Sequence, residues 1–267
     1  MRGAQSDWRI RMGLVVGAVF LVPVLGIGVI VVNTWRPLHE AGEANARLEE
    51  RFGPPGSYTP SPNAELEPEQ IEAFLEVRRA IQSGCSRYEP IREVFQFIDG
   101  LDESEEPVPK DIWRTAELML DATRKLTPFV GRFFEDRNRA LVAAELSLEE
   151  YCYIYACAYR EQLSDSSIRE ELFFEGAPPS PAVSASFRSM IARQHEASEG
   201  EMKQRLGAEL DALADDPTRF PWQDGLPPVT ERCLAPYRAE LDALFCAGTA
   251  GIEMDRDSRR ALRIALE

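Results

Sequence analysis

The chain has 267 residues, with 30 basic and 45 acidic side chains and a net charge of −15. Without residues 1–33, which contain three Arg and one Asp, the remaining chain carries 27 basic and 44 acidic residues, a net charge of −17. An electrostatic field of this sign repels nucleic acid, so the composition excludes nucleic acid as a partner.

The segment 13–32, GLVVGAVFLVPVLGIGVIVV, holds no charged residue and only one strong helix breaker, Pro23. Twenty helical residues rise about 30 Å, the thickness of the hydrocarbon core of a bilayer. A cleaved signal peptide has a shorter apolar run with a small-residue cleavage site close behind it, whereas here the first Ala-x-Ala pattern begins at Ala44. The segment is therefore predicted to be a single transmembrane helix that is retained in the lipid bilayer.

The charges that flank this segment predict its orientation. Residues 1–12 contain three arginines and one aspartate, whereas Arg36 on the other flank is soon followed by Glu40 and Glu43. Positive residues near a membrane span are retained in the cytoplasm. We therefore expect 1–12 to be a cytoplasmic tail and the larger part of the chain to be extracytoplasmic, which means periplasmic in a bacterium with two membranes.

Residues 33–66 are predicted to form a stalk, with a juxtamembrane helix over 37–52 followed by a Pro- and Gly-rich linker. Pro and Gly stop helices and Pro-rich segments are extended, so the linker is expected to separate the following domain from the bilayer.

Two features of the anchor and stalk suggest a parallel homodimer. Gly13 and Gly17 have the four-residue spacing that lets two membrane helices approach closely. The juxtamembrane helix contains a pattern of two heptads, and Asn45 occupies an a position in it. Asn at such a position can fix the register and the dimeric state of a coiled coil. The alternative is that the glycines reflect ordinary membrane-helix composition and that the short amphipathic helix packs on its own domain.

Residues 67–267 are predicted to form one all-α, helical-bundle domain. Apolar residues with helical spacing follow Pro68, and Pro128 is expected to kink or split a long helical pattern that starts after Pro109. Further helical patterns cover 147–163, 181–215, 235–245 and 255–266. We find no alternating strand pattern and no long internal repeat.

The stretch YCYIYACAY, 151–159, contains four of the seven tyrosines of the chain and no charge. Tyr151, Tyr155 and Tyr159 form one helical stripe at i, i+4 and i+8. A helix that is apolar all round belongs in the centre of a bundle, and the structural interpretation is therefore a core helix. The functional interpretation is a ligand-binding pocket, lined by these phenols, for an apolar or aromatic molecule.

The five cysteines all lie in the part predicted to be extracytoplasmic, where disulfides persist. Their number is odd, and their spacing leaves the connectivity open. Cys152 and Cys157 would lie on different faces of a helix, so they are not expected to pair with each other. No CxxC motif and no zinc-type Cys/His spacing occurs.

Catalytic and metal-binding patterns are scarce. His195 and Glu199 would be i, i+4 neighbours on a helix, but the second His of a metalloprotease motif is missing, so no metal site is predicted. The sequence contains no phosphate-binding loop, no dinucleotide-binding fingerprint and no nucleophile elbow, and no cofactor is predicted.

These observations favour a membrane-anchored, extracytoplasmic helical protein without enzymatic activity, acting as a scaffold or as an accessory subunit of an envelope complex. Its expected partners are the bilayer and other membrane or envelope proteins. Two alternatives stay open: a tethered carrier of an apolar ligand that uses the tyrosine helix, and a cell-wall hydrolase that uses paired carboxylates.

Overall fold

The computed structural model describes residues 36, 39–99, 128–164, 181–216 and 219–255. These residues confirm the predicted all-α class, since they form helices and none of them lies in a strand. The first helices are α1 (39–52), α2 (Pro68–Asp99), α3 (128–143), α4 (Leu148–Ala158) and α5 (Arg160–Ser164). They are followed by α6 (Pro181–Ala197), α7 (Gly200–Asp215), α8 (Pro228–Leu234), a 3-10 turn (Ala235–Tyr237), α9 (Arg238–Leu244) and α10 (Ala247–Glu253).

The predicted transmembrane helix over 13–32 and the predicted cytoplasmic tail over 1–12 lie outside the described residues. Within the described ranges, no helix is long and apolar enough to cross a bilayer.

The start of α2 follows from its local sequence. Pro68 occupies the first helical turn, where its missing N–H is not needed, and the Gln70 side chain accepts a hydrogen bond of 2.9 Å from the Glu67 N–H. The apolar face predicted for this helix is buried, as the exposure of its members confirms: Ile71, Phe74, Leu75 and Ile81.

α4 is the central helix of the fold. Ser147 caps its amino terminus by accepting a hydrogen bond of 3.1 Å from the Glu150 N–H. Every residue from Tyr151 to Ala158 is buried, because other helices and loops cover all sides of α4. This arrangement confirms the prediction of a core helix.

The helix expected over 181–215 is divided into two. α6 ends at Ala197 and α7 starts at Gly200, which has a left-handed φ of +58°. The buried Ser198 hydroxyl lies at the break, 2.5 Å from the Pro62 carbonyl oxygen and 2.6 Å from that of Gln194. The break lets α7 fold back onto α6, and the two helices pack against each other.

The carboxyl-terminal third contains two helices that the sequence pattern did not predict. α8 begins at Pro228, directly after a Pro- and Gly-rich loop, and α10 contains Gly248 and Gly251, which are poor helix formers. The 3-10 turn and α9 together correspond to the helix predicted over 235–245. The last predicted helix, over 255–266, lies almost wholly outside the described residues.

The segment 53–66, predicted to be a separating linker, lies along the helical domain as a strap. Four of its carbonyl oxygens accept hydrogen bonds from side chains of α6, α8 and the α6–α7 break, over distances of 2.5–2.7 Å; they belong to Tyr58, Ser61, Pro62 and Ala64. Because the strap forms neither helix nor strand, these carbonyl oxygens are free to accept from side chains. The strap therefore belongs to the folded domain.

α1 also packs on the domain. Ala41, Ala44 and Leu48 on one face of α1 are buried, and Phe52 packs at the edge of the main hydrophobic core. At the end of α1, Arg51 and Glu145 form an exposed ion pair with 2.6 Å between the nitrogen and oxygen atoms. The stalk predicted over 33–66 is thus, from residue 39 onward, part of the same compact structure as α2–α10.

Candidate functional site

The predicted ligand-binding residues Tyr151, Tyr155 and Tyr159 lie together on one face of α4, and all three side chains are fully buried. Their rings form a continuous row, with centroids 6.0 Å apart for the first pair and 4.8 Å apart for the second. Phe74 of α2 covers the row, with its ring centroid 5.1 Å from that of Tyr151. The structure therefore brings these residues together inside the core; whether a ligand binds there stays a prediction.

A buried arginine from α2 lies against this row. Arg78 is 1% exposed, and its guanidinium carbon lies 5.3 Å from the ring centroids of both Tyr155 and Tyr159. Such distances allow cation–π attraction, which is stronger where water is excluded. Arg78 also donates a hydrogen bond of 2.5 Å to the Leu244 carbonyl oxygen at the end of α9.

The charge of Arg78 is balanced by Glu253, the last residue of α10, with which it forms a fully buried ion pair. The Tyr151 hydroxyl donates to Glu253 Oε1 over 2.5 Å, and the Thr249 hydroxyl donates to the other carboxylate oxygen over 3.3 Å. A buried carboxylate needs this number of partners to offset the loss of water. The centre formed by Arg78, Tyr151 and Glu253 therefore joins α2, α4 and α10.

Sequence reasoning identified the tyrosines of this centre but missed Arg78 and Glu253. Arg78 is one of two adjacent arginines in an amphipathic helix, and Arg79, its neighbour, forms an ordinary surface ion pair with Glu240. Glu253 is a single acid in the apolar stretch AGTAGIEM, 247–254, and this isolation was the available signal. Neither position reveals its partner without the fold.

The Tyr155 hydroxyl differs from that of Tyr151. It is buried, and among the described residues it has no hydrogen-bond partner. Burial raises the pKa of Tyr155 well above its ordinary value, so the phenol stays neutral and keeps its proton for donation. Chemically, this hydroxyl can donate one hydrogen bond, and the acceptor could be a bound molecule or an ordered water.

A second buried arginine holds the segment after α10. The Nη1 atom of Arg137, on α3, donates to the carbonyl oxygens of Glu253 and Asp255 over 2.6 and 2.7 Å. Its Nε and Nη2 atoms both donate to Asn138 Oδ1, over 3.0 and 2.9 Å. These contacts satisfy backbone groups at the end of α10 that the helix itself leaves unpaired, so Arg137 fixes the position of Glu253.

An open crevice of about 230 Å³ lies between α1, the strap and the amino terminus of α4. Two adjacent acids, Glu149 and Glu150, line it. The buried carboxylate of Glu149 accepts hydrogen bonds from the N–H groups of Gly56 and Tyr58, over 2.8 and 3.1 Å. Glu149 therefore fastens the strap to α4.

Glu150 has a different environment. Its carboxylate accepts a hydrogen bond of 2.5 Å from the Gln70 side chain, yet burial is the larger influence and raises the pKa of Glu150. The two carboxyl groups thus have different environments, although the residues are neighbours in the sequence. Backbone N–H groups of the strap occupy both oxygens of the Glu149 side chain, whereas burial of Glu150 disfavours its charged form.

The residues predicted to promote dimerisation are only partly described. Gly13 and Gly17 lie outside the described residues. Asn45 lies on α1, half-buried, and its side-chain amide donates a hydrogen bond of 3.0 Å to Glu49 of the same helix. Ala41 and Leu48, which occupy the d positions on either side of Asn45, are buried against their own domain, and this is the arrangement given as the alternative to a dimer.

The cysteines divide into two groups. Cys152, Cys157 and Cys233 carry thiols, and Cys246 is disulfide-bonded. Cys152 and Cys157 do not pair with each other, as their spacing predicted. Burial raises the pKa of Cys157, so its thiol is unreactive at neutral pH.

His195 and Glu199 are not on a common helix, because α6 ends at Ala197 and Glu199 precedes the first residue of α7. The predicted i, i+4 geometry of these two residues is therefore wrong. Among the described residues, no group of three or more His, Cys, Asp or Glu side chains is arranged to hold a metal ion.

The chain matches no protein-family model, no curated protein and no solved structure.

Proposed function

We propose that the protein is anchored in a membrane by residues 13–32 and presents an extracytoplasmic helical domain that acts as a scaffold or as an accessory subunit of an envelope complex. The observation that carries this proposal is the docking of α1 on the domain. Only six residues, 33–38, separate α1 from the predicted anchor, and six residues span at most about 20 Å. The domain would therefore stay close to the bilayer in a restricted orientation.

The contacts of the candidate site support a role without catalysis. Glu149 is occupied by backbone donors of the strap, and Glu253 is occupied by Arg78 and Tyr151. Acids used in this way hold elements together and are not free to transfer protons to a substrate. Such a rigid, strapped domain is suited to presenting fixed surfaces to other proteins.

The disulfide of Cys246 supports the extracytoplasmic placement. Disulfides persist in oxidising compartments such as the periplasm and are rare in the cytosol, where thiols are kept reduced. The side chains of the large acidic part would then face the outside, in agreement with the orientation expected from the arginines of residues 1–12.

Anchorage and topology are tested together with the full chain in cells. We expect the protein to remain in the membrane pellet after extraction at alkaline pH, and we expect added protease to degrade the large domain only after the outer envelope is opened. Release of the intact chain at alkaline pH would exclude the anchor. Persistent protection of the domain would exclude the proposed orientation.

The scaffold role is tested by photocrosslinking in cells from exposed positions. A photoreactive residue at Glu50, on the exposed face of α1, is expected to capture a membrane or envelope protein at a reproducible position. A photoreactive residue at the buried Leu48 is the matched control and is expected to crosslink only within the chain. Absence of any intermolecular product from a set of exposed positions would count against a scaffold.

A second candidate function is the binding of an apolar ligand at the tyrosine helix. The observation that favours it is the buried Tyr155 hydroxyl, which lacks a partner among the described residues. An apolar molecule with one acceptor oxygen would satisfy this donor and replace core contacts. If this candidate function is correct, mass spectrometry of lipid extracts from the purified full chain will detect such a molecule, and extracts from Tyr155→Phe will lack it.

A further inference from the structure

A second cleft lies between α1 and α3. Its volume is about 300 Å³, within the lower range for small-molecule sites. We call it the α1–α3 cleft, and it is lined by Glu40, Glu43, Ala44, Arg47, Glu135, Asn138, Arg139 and Val142.

The walls of the cleft carry both signs of charge. Arg47 pairs with Glu43 at 3.6 Å, and Arg139 pairs with Glu135. Both arginine side chains are about 70% exposed, so these ion pairs are weak and their partners can be exchanged. A ligand that brings its own positive and negative groups can therefore pair with one carboxylate and one guanidinium of these walls, because the ion pairs that it displaces are exposed and weak.

Asn138 provides the independent sign of a ligand. Its side chain is fully buried in the wall of the cleft, and its Oδ1 atom accepts from Arg137, which fixes the orientation of the amide. The Nδ2 atom has no hydrogen-bond partner among the described residues. A buried donor left unpaired costs about 1–3 kcal/mol, so an acceptor oxygen from a bound molecule would be favoured here.

These features specify the chemistry of the ligand. The Asn138 amide and the arginines favour an anionic oxygen, whereas Glu40 and Glu43 favour a small ammonium group that can donate hydrogen bonds. We propose that the α1–α3 cleft binds a phosphoethanolamine group, with its phosphate toward Asn138 and Arg139 and its ammonium toward Glu40 and Glu43.

The source of this group is inferred from the position of the cleft on α1. This inference rests on the proposed membrane anchorage: if residues 13–32 span the bilayer, the start of α1 lies within about 20 Å of it. The headgroup of a zwitterionic phospholipid is then the phosphoethanolamine group at highest local concentration. Free phosphoethanolamine has the same chemistry and is the competing source.

The test is native mass spectrometry of the full chain, released from detergent that contains equal amounts of phosphatidylethanolamine, phosphatidylcholine and phosphatidylglycerol with identical acyl chains. The choline headgroup cannot donate hydrogen bonds, and the glycerol headgroup has no cation. We expect about tenfold more retained phosphatidylethanolamine than either competitor, the effect of one charge-assisted hydrogen bond. Equal retention, or preference for phosphatidylglycerol, would overturn the proposal.

Variants of exposed residues avoid the risk of unfolding that Asn138 substitutions carry. Glu40→Gln with Glu43→Gln is expected to remove the preference for phosphatidylethanolamine, whereas Glu240→Gln, which removes an equally exposed ion-paired carboxylate outside the cleft, is expected to keep it. An unchanged preference in the double variant would contradict the assignment to this cleft.

Titration of the full chain in detergent with free phosphoethanolamine separates the two sources. Saturable binding of the free compound without preference among the lipids would overturn the lipid assignment. Membrane anchorage is measured separately, by extraction at alkaline pH. The anchorage proposal can therefore fail while the preference of the cleft for phosphatidylethanolamine is still measured in detergent.

Discussion

At the scale of single residues, the central feature is the contrast between phenols that lie side by side in the core. The Tyr151 hydroxyl donates to the buried Glu253, whereas the Tyr155 hydroxyl has no partner among the described residues. A hydrogen bond to a buried charge contributes about 1.5–3 kcal/mol, while a buried unpaired hydroxyl is a net cost. The same chemical group therefore has opposite effects on stability at these two positions.

This contrast gives a matched pair of substitutions. Tyr151→Phe is expected to lower the free energy of unfolding by about 1.5–3 kcal/mol, because Glu253 loses a donor. Tyr155→Phe, which removes the same atom one helical turn away, is expected to leave stability unchanged or raise it by up to about 1 kcal/mol. Denaturant unfolding measures both. A large loss in Tyr155→Phe would mean that its hydroxyl has an acceptor, which would favour the ligand-binding alternative.

Glu149 and Glu150 give a second matched pair. Because burial raises the pKa of Glu150 in the folded state, its contribution to stability is complete below its unfolded pKa of about 4.5 and is lost as pH rises through the folded value. Glu150→Gln should therefore match the parent chain at acidic pH and become more stable than it at neutral pH. Glu149→Gln should instead be less stable at neutral pH, by about 1–3 kcal/mol, because an amide cannot accept well from both strap N–H groups.

The pair is measured by thermal unfolding between pH 4 and pH 8. The prediction for Glu150 fails if the difference between variant and parent is independent of pH. The prediction for Glu149 fails if its variant is as stable as that of Glu150, since the strap would then not depend on this carboxylate.

At the scale of helices, the sequence predicted those whose apolar period is uninterrupted and whose ends carry recognisable caps. α2 starts at Pro68, and α4 lies within the pattern over 147–163, as expected. The 181–215 pattern was wrong because its apolar period continues on both sides of Gly200, although the chain turns there. α10 was missed because its stability depends on packing and on the contacts of Glu253, which override a weak local preference.

The residues of the candidate site, like the helices, were predictable only where the signal lies in the local sequence pattern. Tyr151, Tyr155 and Tyr159 form a local pattern, which spacing reveals. Arg78 and Glu253 meet the tyrosines through tertiary contacts between distant parts of the chain, and nothing in their own neighbourhoods defines a partner. The Pro and Gly residues of 53–66 predict the absence of a helix, but they do not reveal which groups the backbone of the strap contacts.

The docking of α1 can be tested through its buried face. Leu48→Ala is expected to destabilise the protein by about 2–4 kcal/mol, since it leaves a cavity where α1 meets the core, and to increase hydrogen exchange in α1 more than in α2. Glu50→Ala, on the exposed face of the same helix, is the control and is expected to change stability by less than about 0.5 kcal/mol. Equal, small effects of both substitutions would indicate that α1 does not pack on the domain in solution.

At the scale of the whole molecule, charge and covalent chemistry support the same proposed topology. The part after residue 33 has a net charge of −17, whereas residues 1–12 contain three arginines and one aspartate. Cys246 is disulfide-bonded close to Leu244 and Thr249, which contact the buried Arg78–Glu253 centre. A disulfide lowers the conformational entropy of the unfolded chain. Here it lies next to a buried ion pair, where loss of one partner would leave an uncompensated charge in the core.

The compartment can therefore be determined from the state of the thiols in the cell. When cells are quenched in acid and alkylated before any reduction, Cys246 of the full chain should remain unlabelled and the half-buried, free Cys233 should be labelled. After reduction, a second alkylating reagent should label Cys246 alone of these two. Labelling of Cys246 in the first step would place the domain in a reducing compartment and would contradict the proposed topology.

The same disulfide should be visible in stability. Cys246→Ser is expected to lower the free energy of unfolding by about 2–4 kcal/mol in protein recovered from the envelope, whereas Cys233→Ser should change it by less than about 0.5 kcal/mol. Protein made in the cytoplasm, where thiols stay reduced, should unfold at the same denaturant concentration whether residue 246 is Cys or Ser. A difference between these two proteins there would mean that Cys246 stabilises the core as a thiol, by packing, and its stability effect would then say nothing about the compartment.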